Sequence, residues 1–478
     1  MSEPVTLVRR LGLAGATALV VSNMIGTGIF TTTGFLAADL GSAFVVLLCW
    51  IVGGASALLG AICYSELALN FSSSGGEYLY LSRAYGPTWG FVTGWVSFFA
   101  GFSAPIAAAA LAFASYVAFF FPSWQPRETG NSSMLRLGPQ QLISCGLVVS
   151  LSMWNCLGIK RSALLQNSLT ALKIAMLVTF VVAGLLVGHG DWSNLSQKTM
   201  RAVETPLWEQ FAVSLFWIYV SYSGWNAATY VAEEIESPQR NLPRALAIGT
   251  GLVTVVYLAL NVTFLYAAPL ESMKGIIAIG ALAASRLFGP QAAGAFNALM
   301  AFALLSTVNA MIIAGPRVYY AVARDGQFFS PAALVHPRWR TPVNSILAQA
   351  ICAMLLALTP FPQLMLYIGF TLNVFAVMSV SSLFFFRRRP GWRTLRIIDL
   401  SYPLLPLLFA VIGIWMITEG VLKKPLISGI TVLTLLTGAL VYRTTFGHLR
   451  SSVDSAIPDG PSLRAQSDEE GRYDGHVN

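Results

Sequence analysis

Ser22-Asn23-Met24-Ile25-Gly26-Thr27-Gly28-Ile29-Phe30 interrupts the first long apolar run, 11–38, which carries no charge. At 28 residues the run exceeds the roughly 20 needed to cross a bilayer as a helix. Yet its centre is Gly-Thr-Gly, and glycine costs about 1 kcal/mol against alanine in a helix interior. In lipid a freed backbone group finds no water, so a broken helix persists only where protein or a cavity satisfies it. The stretch therefore predicts two half-helices meeting at a site. The second, starting near Gly28, would aim unpaired N–H groups at an anion such as a carboxylate. The first, ending near Met24, would offer spare carbonyls to a cation such as an ammonium. An α-amino acid carries both charges on one carbon. A plain helix–helix contact, which small residues favour in membranes, accounts for the same letters.

Composition fixes the broad class. The chain is 55% hydrophobic and 10% charged, with 12 Trp, 16 Tyr and 29 Phe, the balance of a polytopic membrane protein rather than a soluble globule. Its charge of +8 calls for no nucleic acid, because where the charges lie matters more than their sum. Cys49, Cys63, Cys145, Cys156 and Cys352 fall in apolar segments without paired spacing, so they read as small buried hydrophobes, not disulfides or metal ligands. The four histidines fall in loops or the tail. No metal and no cofactor is expected, and no cleavable signal pattern opens the chain.

Apolar runs of spanning length recur at 11–38, 42–70, 88–121, 139–157, 162–188, 208–232, 244–267, 290–322, 343–360, 363–386, 401–420 and 425–446. They predict an all-α protein with 12 transmembrane helices. Residues 1–10 form a short polar lead, and 451–478 a polar, disordered tail. With the N-terminus inside, 20 Lys and Arg fall on the cytoplasmic side and 8 outside. That bias places both termini in the cytoplasm.

The remaining basic residue, Lys173, stands eleven residues after Ser162, about 16 Å along a helix and close to mid-bilayer. A lysine there costs roughly 2.5–3.5 kcal/mol on insertion scales. Ser162, Gln166, Thr170 and Lys173 follow at helical spacing, so one polar stripe should face the bundle interior. Lys173 is either a snorkelling or structural group, or a fixed or titratable cation beside the site, in place of a metal ion. Five runs after the first break comes a second irregular stretch, Val220-Ser221-Tyr222-Ser223-Gly224-Trp225-Asn226. Two broken helices at matching positions point to an inverted repeat with a site at the midplane. Glu66, Glu77, Arg83, Glu233, Glu234, Arg240, Arg244 and Arg317 read as a cytoplasmic network, with Arg317 half-buried and paired.

These stretches resemble the amino acid–polyamine–organocation (APC) superfamily, and within it the L-type amino acid transporters and their bacterial relatives. The resemblance rests on Ile25-Gly26-Thr27-Gly28-Ile29-Phe30, Ser74-Gly75-Gly76-Glu77-Tyr78-Leu79-Tyr80 with Tyr85-Gly86, Asn155-Cys156-Leu157-Gly158 with Gln166 and Lys173, Tyr222-Ser223-Gly224-Trp225-Asn226 before Glu233-Glu234, and Gly315-Pro316-Arg317 through Arg324-Asp325-Gly326. The ordered set covers the first ten runs. It implies a five-plus-five inverted repeat, 11–188 and 208–386, with discontinuous helices 1 and 6 and two additional C-terminal helices over 401–446. It also implies sodium-independent amino acid transport, by exchange or proton symport. The substrate carboxylate would rest on Gly26, Thr27 and Gly28, and the amine on carbonyls of Met24, Val220 and Ser223, with Ser221 beside them. Lys173 would occupy the place a sodium ion takes in sodium-coupled relatives. Asn226 and Asn373 would make polar contacts near the substrate or gate.

Two departures stand out. Val220 occupies a position where many relatives carry an aromatic gate residue, leaving Tyr219, Tyr222 and Trp225 as gating candidates. The loop 122–138 lacks cysteine, whereas animal members use one there to bond a glycoprotein, so no disulfide-linked heavy-chain partner is expected. Neutral L-amino acids are favoured as substrates, because no carboxylate lies among the pocket runs and Lys173 would repel a cationic side chain. A polyamine or cationic amino acid transporter is the alternative. The chain shows neither the repeated motifs or charge rings of a channel nor an intramembrane acid, histidine or nucleophile cluster of an enzyme. The expected location is the plasma (inner) membrane, with the lipid bilayer and a small amino acid as partners.

Overall fold

A computed structural model describes residues 11–71, 76–121, 124, 138–157, 159–324 and 328–446, with the backbone alone over 159–168 and at 233 and 321. The lead, the tail, Ser74, Gly75, Gly158, Asp325 and Gly326, and the side chains of Ser162 and Gln166, lie outside the described residues. The chain is helical, in the order α1 Leu13–Met24, α2 Thr27–Leu40, α3 Ala43–Asn70, α4 Glu77–Tyr85, α5 Pro87–Val96, α6 Ala104–Val117, α7 Pro139–Cys156, α8 Ile159–Leu186 and α9 Leu207–Tyr222. Next come α10 Pro238–Ala267, α11 Leu270–Met273, α12 Ile279–Arg324, α13 Val343–Leu356, α14 Phe361–Ser381, α15 Leu383–Phe386, α16 Arg396–Ser401, α17 Leu404–Lys423 and α18 Pro425–Val441. Among the described residues, extended backbone pairs only at two isolated bridges, Leu11 with Ile235 and Ser42 with Lys198.

Among the described residues eight helices are long and apolar enough to cross a membrane, or nine when the bent pair α1 and α2 counts as one. Their outer faces leave large aliphatic side chains bare, including Val255, Val411, Leu433 and Leu436. In water this surface would be a liability; against hydrocarbon it is the expected covering. α17 and α18 expose the longest such faces, at the periphery.

Three departures from regular helix follow local chemistry. α1 and α2 bend by 43° at the Ile25-Gly26 junction. A π-helical turn over Ser97–Ser103 joins α5 to α6, so the run 88–121 is one bent rod. α12 kinks at Gly289, whose φ of 82° favours glycine, and Pro290 then starts the run predicted from 290.

The interior is one extended apolar cluster. α1 packs on α10, α10 lies along α3, α2 lies against α9, and α12 runs beside α6 and α8. A smaller cluster joins α6, α7, α12 and α13 through Ile106, Val148, Ile312 and Ile346.

The network expected on the cytoplasmic side is built differently from expectation. Among the described residues Arg83, Glu234, Arg240 and Arg244 form no ion pair; the pairing runs instead through Glu66. Its buried carboxylate takes both arms of Arg387 at 2.7 Å, the Trp392 indole N–H at 2.9 Å and the Leu395 backbone N–H at 3.0 Å. Arg317 is exposed and donates to the Ile313 carbonyl of its own helix. A long guanidinium at a helix end reaches local carbonyls more readily than a distant acid.

Candidate functional site

α1 ends at Met24 because Ile25 turns out of helix, with φ −71° and ψ 87°. α2 begins at Thr27 with Gly26 as its cap, extended and without a side-chain capping bond. The first N–H groups of α2 thus keep the unpaired character that every helix N-terminus has. The second break lies against the first. α9 stops at Tyr222, Gly224 adopts φ 96°, and a 3-10 helix resumes over Ala227–Glu234. A Cβ on Gly224 would fall 2.9 Å from the Asn23 carbonyl oxygen, and one on Gly28 2.3 Å from the Ser221 Cα. Glycine at these two positions lets the two interrupted helices touch backbone to backbone.

Lys173 reaches this junction from α8. It is buried, and its Nζ donates to the Ile25 carbonyl at 2.5 Å and the Ser22 carbonyl at 3.4 Å. Thr170, one turn earlier, lies 3.4 Å from the Ser22 hydroxyl. The described half of the predicted polar stripe therefore faces the first break. A further carbonyl at the end of α1, that of Met24, accepts from the Tyr257 hydroxyl at 2.6 Å. A lysine ammonium and a tyrosine hydroxyl together quench the negative end of α1, where the macrodipole concentrates charge.

The first turn of α2 and the carbonyl end of α1 thus meet at one junction, with the Lys173 ammonium beside them. A sequence model described as amino acid permease matches residues 11–436. The chain belongs to the amino acid permease family. It is 30% identical to the human large neutral amino acids transporter small subunit 2, covering 92% of this chain and 80% of that protein. It is 27% identical to the mouse Asc-type amino acid transporter 1, over 92% of this chain and 82% of that one. With the human b(0,+)-type amino acid transporter 1 it shares 27% identity, over 92% and 89% of the two chains. The expected superfamily and its L-type branch are thereby met.

The permease places its other predicted residues less uniformly. Met24, Thr27 and Ser221 are buried at the junction, and a Cβ on Gly26 would lie 3.6 Å from the Thr307 methyl. Ser221 donates to the Trp217 carbonyl at 2.8 Å and meets the Thr32 hydroxyl at 2.9 Å. The Val220 carbonyl accepts from both the backbone N–H of Ser223, at 3.1 Å, and its hydroxyl, at 2.8 Å. Asn226 lies beyond the break and donates to Glu77 Oε1 at 3.1 Å and to Tyr230 at 3.2 Å. Asn373 turns toward α17, donating to the Gly413 carbonyl at 3.0 Å.

The aromatic candidates sit behind the junction. Tyr219, Tyr222 and Trp225 line a shallow crevice against Gly53, Ile412 and Met416. Tyr222 donates to the Trp50 carbonyl at 3.3 Å, and the Trp225 ring meets Tyr64 edge-on at 4.6 Å. Tyr257 and Thr307 were missed by sequence reasoning. Each sits in an apolar run beside other polar residues, and only its facing partner marks it out.

Proposed function

We propose that this permease is a sodium-independent secondary transporter of neutral L-amino acids, working by alternating access as an exchanger or proton-coupled symporter. The single observation that carries the reading is the Lys173 ammonium on the Ile25 carbonyl, 2.5 Å away. It supplies in covalent form the positive charge that a bound metal ion would otherwise bring to the end of α1. The substrate carboxylate then rests on the N–H groups of Gly26, Thr27 and Gly28, and its amine on nearby carbonyls of Met24, Val220 and Ser223. Ser221, Asn226 and Asn373 support the site, and Tyr219, Tyr222 and Trp225 are the gating side chains. The human relative named as a large neutral amino acids transporter small subunit supports the same substrate class.

In this reading the helices form 12 spans, the first ten as a five-plus-five inverted repeat over 11–188 and 208–386, with 401–446 outside it. The support is the pair of breaks, five apolar runs apart and in mutual contact. Both termini lie in the cytoplasm of a plasma membrane. The protein works without a disulfide-linked heavy chain, because 122–138 offers no thiol.

The test is uptake of labelled amino acids into sodium-free proteoliposomes, empty or preloaded with unlabelled amino acids. Uptake that needs preloading marks an exchanger; accumulation in empty vesicles under an inward proton gradient marks a symporter. Folded protein that takes up no neutral amino acid under either condition would overturn the reading.

A further inference from the structure

On the side read as cytoplasmic the chain holds two inward-facing carboxylates, Glu66 fully buried and Glu77 half-buried, and treats them differently. Glu66 is held by a guanidinium and two N–H donors, a full set for an ionised group. Glu77, eleven residues later, has no such set. It opens α4, a nine-residue helix outside the spanning helices. Its Oε1 accepts from the Tyr64 hydroxyl of α3 at 2.7 Å and from Asn226, just past the second break, at 3.1 Å. Both donors are neutral.

Among the described residues, the groups facing it from each neighbour carry no positive charge. α3 presents Tyr64, α4 itself Tyr80, α9 Tyr219, and the 3-10 helix Tyr230. α5 and α14, packed on α4, contain no charged residue at all. Arg83, at the far end of α4, forms no ion pair with it among the described residues. Burying a carboxylate without a cation is costly, and such a group takes up a proton instead. Burial pushes the Glu77 carboxyl from 4.5 up to about 7, against the opposing pull of its two hydrogen bonds.

The packing around it belongs to the part of the molecule that alternating access must move. Gly76, at φ 50°, brings the start of α4 so close to the 3-10 helix that a Cβ there would lie 2.6 Å from the Tyr230 ring. Glu77 thus bridges α3 and α4 to the segment that continues from the second break.

We propose that Glu77 is a proton-binding residue of the transport cycle: neutral while α3, α4 and the 226–230 segment are packed together, and ionised when they part and water reaches it. This rests on the transporter reading above. An acid cytoplasm then holds this side closed. Each pH unit above the closed-state value favours opening by up to about tenfold.

The experiment is exchange of a labelled neutral amino acid mixture in proteoliposomes, with the internal pH stepped over roughly 5.5–8.5. Wild-type exchange is expected to rise severalfold as internal pH passes through neutrality. Glu77→Gln, which keeps an acceptor for both donors but cannot ionise, should exchange at a rate independent of pH and near the acid limit of the wild type. Glu77→Asp should recover the pH dependence. A flat wild-type profile, or a Glu77→Gln profile that follows the wild type, would overturn the proposal. Exchange at any single pH still certifies a transporter, so failure of the two ideas is separable. Should Glu77→Gln not fold, Tyr64→Phe removes a donor to the ionised form and moves the wild-type midpoint upward by up to about one unit. A midpoint that stays in place counts against Glu77.

Discussion

Gly28 meets Ser221 with no room for a side chain: a Cβ on the glycine would lie 2.3 Å from both the Cα and the Oγ of the serine. This contact holds the start of α2 against the end of α9 and so fixes the spacing of the two breaks. Gly28→Ala should push the helices apart. The expected cost is about 1–3 kcal/mol of stability from overpacking, with transport reduced at least tenfold. Thermal unfolding in detergent and vesicle uptake measure the two effects. Wild-type transport in the alanine variant would show that the contact does not set the site.

Lys173 makes a second prediction. Lys173→Met keeps most of the volume and the aliphatic stem but leaves the Ile25 and Ser22 carbonyls without their donor. An unsatisfied buried acceptor costs about 1–3 kcal/mol. Transport should fall by an order of magnitude or more at every pH, since a neutral side chain cannot supply the fixed charge. Calorimetric substrate binding and uptake over a pH range check it. Unchanged binding and uptake would reduce Lys173 to a packing residue.

Glu66 and Arg387 make a third, purely structural prediction. Removing one partner of a buried ion pair costs about 3–5 kcal/mol because the other charge stays behind. Glu66→Ala should lower the melting temperature markedly and loosen the 386–401 connection. Arg387→Lys, with Glu66 intact, should also lower it, since lysine cannot bind both carboxylate oxygens in a fork. Limited proteolysis between α15 and α17 reports the loosening directly.

Glu77 also predicts a stability difference with a definite sign. A carboxyl whose folded value is raised stabilises the packed state fully below its unfolded value near 4.5, and loses that contribution as pH rises through about 7. Glu77→Gln never ionises, so it should melt above the wild type at pH 8 and level with it below pH 5. The gap should be about 3 kcal/mol at most. A difference that does not vary with pH would refute the assignment.

The breaks were legible because glycine and threonine at the centre of a charge-free run have few other uses, and Lys173 because a mid-run charge is expensive. Helix boundaries followed from the same hydropathy. What the sequence concealed was direction. Asn226 and Asn373 are polar residues in apolar runs, but polarity does not say which neighbour a side chain will face; one meets Glu77 and the other α17. The donors of Glu77 stand 13 and 149 positions away along the chain, and no local pattern joins them. The π-helical turn at Ser97–Ser103 is likewise absent from the apolar pattern, since one extra residue per turn leaves hydropathy unchanged.

The short bridge between Leu11 and the end of the second broken helix is made of backbone alone: Leu11 N–H to the Glu234 carbonyl at 3.0 Å, and Glu236 N–H to the Leu11 carbonyl at 2.9 Å. Any residue except proline can form it. Mutational scanning that changes side chains one at a time will therefore pass over this clasp in silence, and natural variation at positions 11, 234 and 236 can drift freely without severing it. A proline at 11 or 236, or an ester in place of the amide, is the edit that would uncouple the two chain segments.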